Sequence, residues 1–231
     1  MSILAVIPVR SGSVRVPHKN LRELMGVPLL AYPILAAKGS RHVSRVVVST
    51  DSPEYAEMAR KYGAETPFLR PTELAEDVPS ELVLRHAVET LEKYEGYHAD
   101  PIVLMQASTP LTSTEDLDGC IDLFRETGAD TVITVREVKE HPRWMFHMDD
   151  GKELHSYIGL KGEYMKEGWG DSKRHTKLMI PTGGAYILKR SVVMEQGRIY
   201  GDDLRGYEVP FERGIDIDEE IDFKICEALM E

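Results

Sequence analysis

The chain is poor in cysteine, with Cys120 and Cys226 as its two thiols in 231 residues. They lie far apart in helix-like sequence. That argues against a disulfide framework or a cysteine metal site and suits buried thiols in a reducing cytoplasm. No apolar run approaches the ~20 residues of a membrane span. The opening MSILAVIPVR lacks a basic n-region and a small-residue cleavage site, so no signal peptide is expected. Positive charge is also scarce. With 28 Lys+Arg against 39 Asp+Glu the net charge is −11, which argues against nucleic acid or an anionic membrane as a general partner. Repeats, low-complexity tracts and any Ser/His/Asp or Cys/His arrangement for a covalent nucleophile are missing. What remains is an ordinary soluble composition, 42% hydrophobic and 29% charged, on a length that suits one α/β domain with an insertion.

One further absence is local. Residues 1–22 contain Arg10, Arg15, Lys19 and Arg22 but no Asp or Glu. The acidic excess belongs wholly to the rest of the chain.

Strand-like apolar runs alternate with helical patterns. Ile3–Val9, Arg45–Ser49, Pro101–Met105, Thr131–Val135 and Ala185–Leu188 read as strands. Leu29–Gly39, Glu54–Tyr62 before Gly63, Glu81–Tyr94, Thr114–Gly128 with Thr114 as N-cap, and Glu219–Met230 read as helices. This rhythm predicts an α/β fold of three layers, α/β/α, with a mostly parallel sheet. Its ligand is expected beyond the carboxyl ends of the strands. From about 139 to 180 the rhythm breaks, and Gly, Lys, His and aromatic residues collect without a period. A single domain over 1–231 is expected, with 139–180 as a lid or dimerisation insertion.

The loop after the first strand reads Pro8-Val9-Arg10-Ser11-Gly12-Ser13-Val14-Arg15-Val16-Pro17-His18-Lys19-Asn20. Ser-Gly-Ser lets the backbone approach an anion and donate N–H groups to it. Arg10 and Arg15 offer bidentate donors to phosphate, Lys19 a mobile charge, and Asn20 a partner for a base or ribose. No Gly-Lys-Ser/Thr follows, and Gly-x-Gly-x-x-Gly is missing, so neither a Walker loop nor the dinucleotide fingerprint is present. Three cations on an acid-free Gly-Ser turn favour an anion site over a merely solvated basic loop.

This stretch resembles the N-terminal motif of the acylneuraminate cytidylyltransferases, the CMP-sialic acid synthetase-like family. Val9 stands where Ala is usual. The resemblance implies a Rossmann-like nucleotide-sugar transferase fold and a loop that wraps the triphosphate of CTP. Arg10, Ser11, Gly12, Ser13, Arg15, Lys19 and Asn20 would then contact the nucleotide. Val48-Ser49-Thr50-Asp51 also matches, although such a turn is common as a helix cap. Arg70-Pro71-x-x-Leu74 resembles the segment that holds the cytidine and implies Arg70 and Ser80 as further nucleotide contacts. His86 lies on the apolar face of a helical pattern and reads as structural.

Leu104-Met105-Gln106-Ala107-Ser108-Thr109-Pro110 resembles a sugar-contacting turn and implies Gln106; Ser108 and Thr109 fit a strand-ending polar turn equally well. Pro181-Thr182-Gly183-Gly184-Ala185-Tyr186 resembles the sugar-pocket segment and implies Tyr186, which also reads as a core tyrosine. The sugar carboxylate needs a cation. Arg174 is the counterpart the resemblance suggests, with Lys173, Lys177, Lys139 and Arg143 as alternatives. In Gly214-Ile215-Asp216-Ile217-Asp218 the alternating carboxylates of a strand-like run share one side and make a hard oxygen site for Mg²⁺. The resemblance likewise assigns metal binding to Asp216 and Asp218, whereas Glu219 and Glu220 suit a helix N-terminus.

The expected reaction is attack by the anomeric hydroxyl of a sialic-acid-like 2-keto sugar acid on the α-phosphate of CTP, with pyrophosphate leaving. Arg10, Lys19 and Asp218 are the expected catalytic residues. The expected enzyme is cytoplasmic and homodimeric, with no nucleic-acid or membrane partner. The rivals are an octulosonate or other sugar nucleotidyltransferase and a nucleotide-binding module without turnover.

Overall fold

A computed structural model describes residues 2–13, 15–159 and 176–231. Two compact units emerge, one formed by 1–135 with 181–231 and the other by 136–180. The larger unit begins with β1 (Leu4–Pro8), the hairpin β2 (Glu23–Leu24) and β3 (Val27–Pro28), and α1 (Ala31–Gly39). β4 (Arg45–Ser49), α2 (Pro53–Lys61), α3 (Ser80–Glu95), β5 (Ile102–Leu104), α4 (Thr114–Thr127) and β6 (Thr131–Glu137) follow. The smaller unit holds β7 (Phe146–Met148) and β8 (Leu154–Ser156), an antiparallel hairpin. The chain closes with β9 (Met179–Leu188), α5 (Arg190–Met194), β10 (Leu204–Glu208) and α6 (Glu220–Met230).

The six-stranded sheet runs β10-β6-β9-β5-β1-β4. β1 pairs in parallel with β4 and β5, and β10 with β6, while β9 is antiparallel to β5. The sheet is therefore mixed: it is parallel through β5-β1-β4 and through β10-β6, as expected for most of it, and antiparallel at its centre between β9 and β5. β1 shows why the layers form. Side chains alternate across a strand, and in β1 both sets are apolar. Ala5 and Ile7 join a core with Ile34 and Ala37 of α1, Ala59 of α2 and Leu117 and Phe124 of α4. Leu4 and Val6 join the opposite core, with Leu84, Val88 and Leu91 of α3 and Val192 and Val193 of α5. A strand buried on both faces reads as a continuous apolar run, and helices on both faces complete the α/β/α layering.

A third cluster is small but positions the site. Val16, Leu24, Leu29, Ile217, Phe223 and Cys226 are all buried together. It ties the loop after β1, the β2–β3 hairpin, the acidic segment and α6 into one block. At ~1.5–3 kcal/mol for each large aliphatic or aromatic side chain buried, this block outweighs any single surface ion pair.

Several sequence expectations shift by local chemistry. α4 is capped by Ser113, whose hydroxyl accepts from Asp116 N–H in a capping box, not by Thr114. The Thr114 hydroxyl donates instead to the Ala36 carbonyl of α1 at 3.0 Å. β9 begins six residues before the expected start at Ala185. The β2–β3 turn uses Met25 and Gly26, both at positive φ, which suits a two-residue hairpin. Residues 215–218, expected as strand-like, join no sheet.

Candidate functional site

A recess of ≈ 420 Å³ opens beyond the carboxyl ends of β1 and β5. The resemblance and the topology rule both place a ligand there. Arg10, Ser13, Arg15, Lys19, Asn20, Arg70, Ser80, Gln106 and Asp218 all line it. Four cations face three carboxylates there, those of Glu76, Asp77 and Asp218. Within a chain of net charge −11, this is a locally basic cavity.

The basic loop is held from several sides. The buried Asn20 donates its amide to the Arg10 carbonyl at 3.1 Å, closing the loop on itself. Lys19 is mostly buried, and its Nζ donates to the Ile217 carbonyl at 2.7 Å and reaches Asp218 Oδ1 at 3.5 Å. Arg15 pairs with Asp218 Oδ2 at 3.0 Å, and Arg10 with the exposed Asp77 at 3.4 Å. Ser11 turns away from the recess. Its N–H and hydroxyl both donate to Asp51. A Cβ added at Gly12 would meet nothing within 4 Å, so this face of the loop is open.

Arg70 lies opposite, its side chain 4% exposed. Its Nε and Nη2 have no hydrogen-bond partner, and its nearest carboxylate contact is Asp51 at 3.9 Å. A buried guanidinium with idle donors is costly unless a ligand accepts from them. Burial lowers its pKa, and the charge of Arg10 adds to that. Ser80 is the first residue of α3, so with Val83 it brings the first helical turn to the recess wall. His86, one turn further, packs edge-on against Phe68 at 5.1 Å. Burial and the Arg70 charge hold its pKa below the ordinary histidine value.

The acidic segment is pinned by β5's outgoing turn. The Ile217 N–H donates to the Ser108 carbonyl at 2.7 Å, which sets the Ser108 hydroxyl beside the Asp216 carboxyl, where it favours the ionised form. Asp216 is solvent-accessible but crowded by protein atoms. That desolvation raises its pKa, and the Asp218 charge adds to it against the opposing influence of the Ser108 hydroxyl. Asp222 accepts from the Asp218 and Glu219 N–H groups at 2.9 and 2.8 Å. Glu219 is the N-cap of α6 and Glu220 pairs with Arg22, so these two acids serve the helix end. Upstream, Arg213 pairs with the buried Asp116 at 2.7 Å.

Gln106 lines the recess from the turn after β5. A Cβ at Gly183 would lie 2.5 Å from Gln106 Oε1, and Gly183 has φ +83. Glycine is therefore required where β9 passes Gln106. Tyr186 is not brought to the recess. It is 6% exposed in the α3/α5 core, its ring 6.3 Å from that of Tyr200, and burial raises its pKa. Asp216, Ser11 and Gly12 are likewise not part of the lining. Arg174 and Lys173 lie outside the described residues, and Lys139, Arg143 and Lys177 belong to the 136–180 unit. Sequence reasoning passed over Asp51, Asp77 and the Ser108 contacts. Two of them stand in motifs quoted above, Asp51 in the Ser-Thr-Asp turn and Ser108 in the turn after Gln106.

A family model described as "Cytidylyltransferase" matches residues 4–168. The chain is 33% identical to a CMP-N,N'-diacetyllegionaminic acid synthase of Legionella pneumophila, over 100% of this chain and 97% of that protein. It is 29% identical to an N-acylneuraminate cytidylyltransferase of Escherichia coli, over 97% of this chain and 51% of that protein. A solved CMP:2-keto-3-deoxy-manno-octonic acid synthetase shares the fold at TM-score 0.70 and 17% identity, over 100% of this chain and 98% of that one. A basic loop and an acidic segment meeting at the strand ends of an α/β sheet, on a chain matched over most of its length, lead to one assignment: the chain belongs to the cytidylyltransferase family.

Proposed function

We propose that this protein transfers CMP from CTP to the anomeric hydroxyl of a 2-keto sugar acid of the nonulosonate class, releasing pyrophosphate. The observation that carries this reading is the recess itself, where Arg10, Arg15, Lys19 and Arg70 converge with Asp218 at the strand ends. The names of the relatives support the same chemistry.

Each residue has a role in the reading. The sugar hydroxyl attacks the α-phosphorus, and the bond from that phosphorus to the β-phosphate oxygen breaks. Arg10, Arg15 and Lys19 neutralise the triphosphate and the charge that grows on the leaving pyrophosphate. Arg15 and Lys19 both reach Asp218. A triphosphate gives both cations a stronger anion and frees the Asp218 carboxylate to take the hydroxyl proton. Arg70 offers its idle donors to the cytidine, and Asn20 and Ser11 keep the loop in shape. Gln106 contacts the sugar acid, so positioning carries much of the rate.

Asp216 and Asp218 fit Mg²⁺ by their chemistry. Two hard carboxylates lie close enough for one charge to raise the other's pKa, a repulsion that a divalent cation relieves. Held there, Mg²⁺ would neutralise phosphate oxygens. A homodimer belongs to the same proposal, and molar mass in solution tests it.

The test is a panel of nine-carbon and eight-carbon 2-keto sugar acids with CTP and Mg²⁺. Pyrophosphate release is expected with at least one nine-carbon acid, and none with any of them would sink the proposal. Turnover confined to an eight-carbon acid would favour the octulosonate reading. Asp218→Asn is expected to lose turnover by ~10²-fold or more while still binding CTP; full activity in that variant would remove Asp218 from the mechanism.

A further inference from the structure

The Ser-Thr-Asp turn after β4 is a quoted motif that the proposed reaction leaves without a part. A capping role is the ordinary explanation for such a turn, but Asp51 does not cap α2. Ser52 does, accepting from the Tyr55 N–H. Asp51 makes three other contacts. Its Oδ1 accepts the Ser11 N–H at 2.9 Å and its Oδ2 the Ser11 hydroxyl at 2.5 Å. On its other side, Oδ1 lies 3.9 Å from Nη2 of the buried Arg70.

The sheet explains why these groups meet. β1 and β4 are parallel neighbours with Pro8 opposite Ser49, and the Val9 N–H donates to the Ser49 carbonyl at 3.0 Å. The basic loop and the Ser-Thr-Asp turn therefore leave the sheet side by side. The Arg70 N–H then donates to the Thr50 carbonyl at 2.7 Å, docking the Arg70 segment on the same turn. The carboxyl is adapted to the ionised state. Burial pushes its pKa up, but the Ser11 bonds and the Arg70 charge outweigh that and lower it. Among the described residues, Asp51 is the carboxylate that pairs with Arg70.

We infer that Asp51 is a positioning residue that joins the two ends of the nucleotide site, setting the Ser11-Gly12-Ser13 loop for the triphosphate and the Arg70 guanidinium for the base with one carboxylate. The inference rests on the nucleotide reading above. Asp51 does not itself line the recess. It acts through Ser11 on one side and Arg70 on the other.

The experiment measures binding of CTP, inorganic tripolyphosphate and cytidine to the full chain and to Asp51→Asn, Ser11→Ala and Arg70→Met, with thermal midpoints alongside. Asp51→Asn removes the charge but keeps the size. It is expected to weaken both tripolyphosphate and cytidine by about tenfold, the scale of a hydrogen bond to a charged group. Ser11→Ala is expected to weaken tripolyphosphate alone, and Arg70→Met cytidine alone. A residue that merely stabilises the fold would lower the midpoint and leave both affinities in place. Wild-type protein that binds no CTP overturns the nucleotide reading and this one with it. Wild-type binding with Asp51→Asn within twofold on both probes overturns only the role of Asp51. Should Asp51→Asn fail to fold, Ser11→Ala decides: tripolyphosphate affinity reduced by threefold or more supports the coupling, and an unchanged value overturns it.

Discussion

Arg70 concentrates the conflict between folding and binding in one side chain. Its guanidinium is buried, paired at 3.9 Å, and has Nε and Nη2 idle. An ion pair so poorly hydrogen-bonded recovers little of its desolvation cost. Arg70→Met keeps the length and apolar stem and removes the charge. Its thermal midpoint is expected to equal or exceed that of the parent, while CTP affinity falls by more than tenfold. A clear fall in the midpoint would show that the guanidinium stabilises the fold. At this scale the sequence was informative where chemistry is dense. Arg10, Arg15 and Lys19 stand in an acid-free stretch, and all three line the recess. Tyr186 was not legible in the same way, because a tyrosine in an apolar strand has the same local sequence whether its ring faces a pocket or a core. Here it is buried against Tyr200.

At the scale of elements, the outcome depends on how short segments are tied down. The acidic segment 215–218 belongs to no sheet, so its geometry comes from neighbours. The Ser108 carbonyl holds Ile217, and the 3-10 turn Phe211–Gly214 anchors on α4 through Arg213 and Asp116. Arg213→Ala is expected to cost about 1 kcal/mol of stability, since the guanidinium is half-exposed and screened although Asp116 is buried. Its activity is expected to fall by more than that stability loss explains, because Asp216 and Asp218 lose their anchor. Urea unfolding and pyrophosphate release on the same samples check both, and unchanged activity would argue that Ser108 alone suffices. The long helices and apolar strands were legible from period and caps. β10 and α5 were not. β10 is a mostly exposed five-residue strand, and Gly206 approaches Val135 of β6 closely. A glycine chosen for such contact looks like a turn signal in the sequence.

For the whole molecule, a net charge of −11 surrounds a recess lined by four cations. Exposed charges farther off than the ~8–10 Å screening length at physiological salt contribute little, so the cations that line the recess weigh most on an anion bound there. CTP affinity is therefore expected to fall as salt rises, while cytidine affinity stays nearly constant. Equal salt responses would show that the triphosphate gains nothing from the cradle. The sequence by itself determined the α/β class, the central strands, the basic loop and the presence of an acidic pair. Each is encoded in local composition and period, and a buried parallel strand or a phosphate loop has few other ways to be written. Tertiary structure alone decided which of these groups meet. Lys19 and Ile217 touch across 198 positions, Ser11 and Asp51 across 40, and the third cluster joins Val16 to Phe223. Such pairings follow from strand order and from burial shared between distant segments, and neither leaves a periodic trace in the chain.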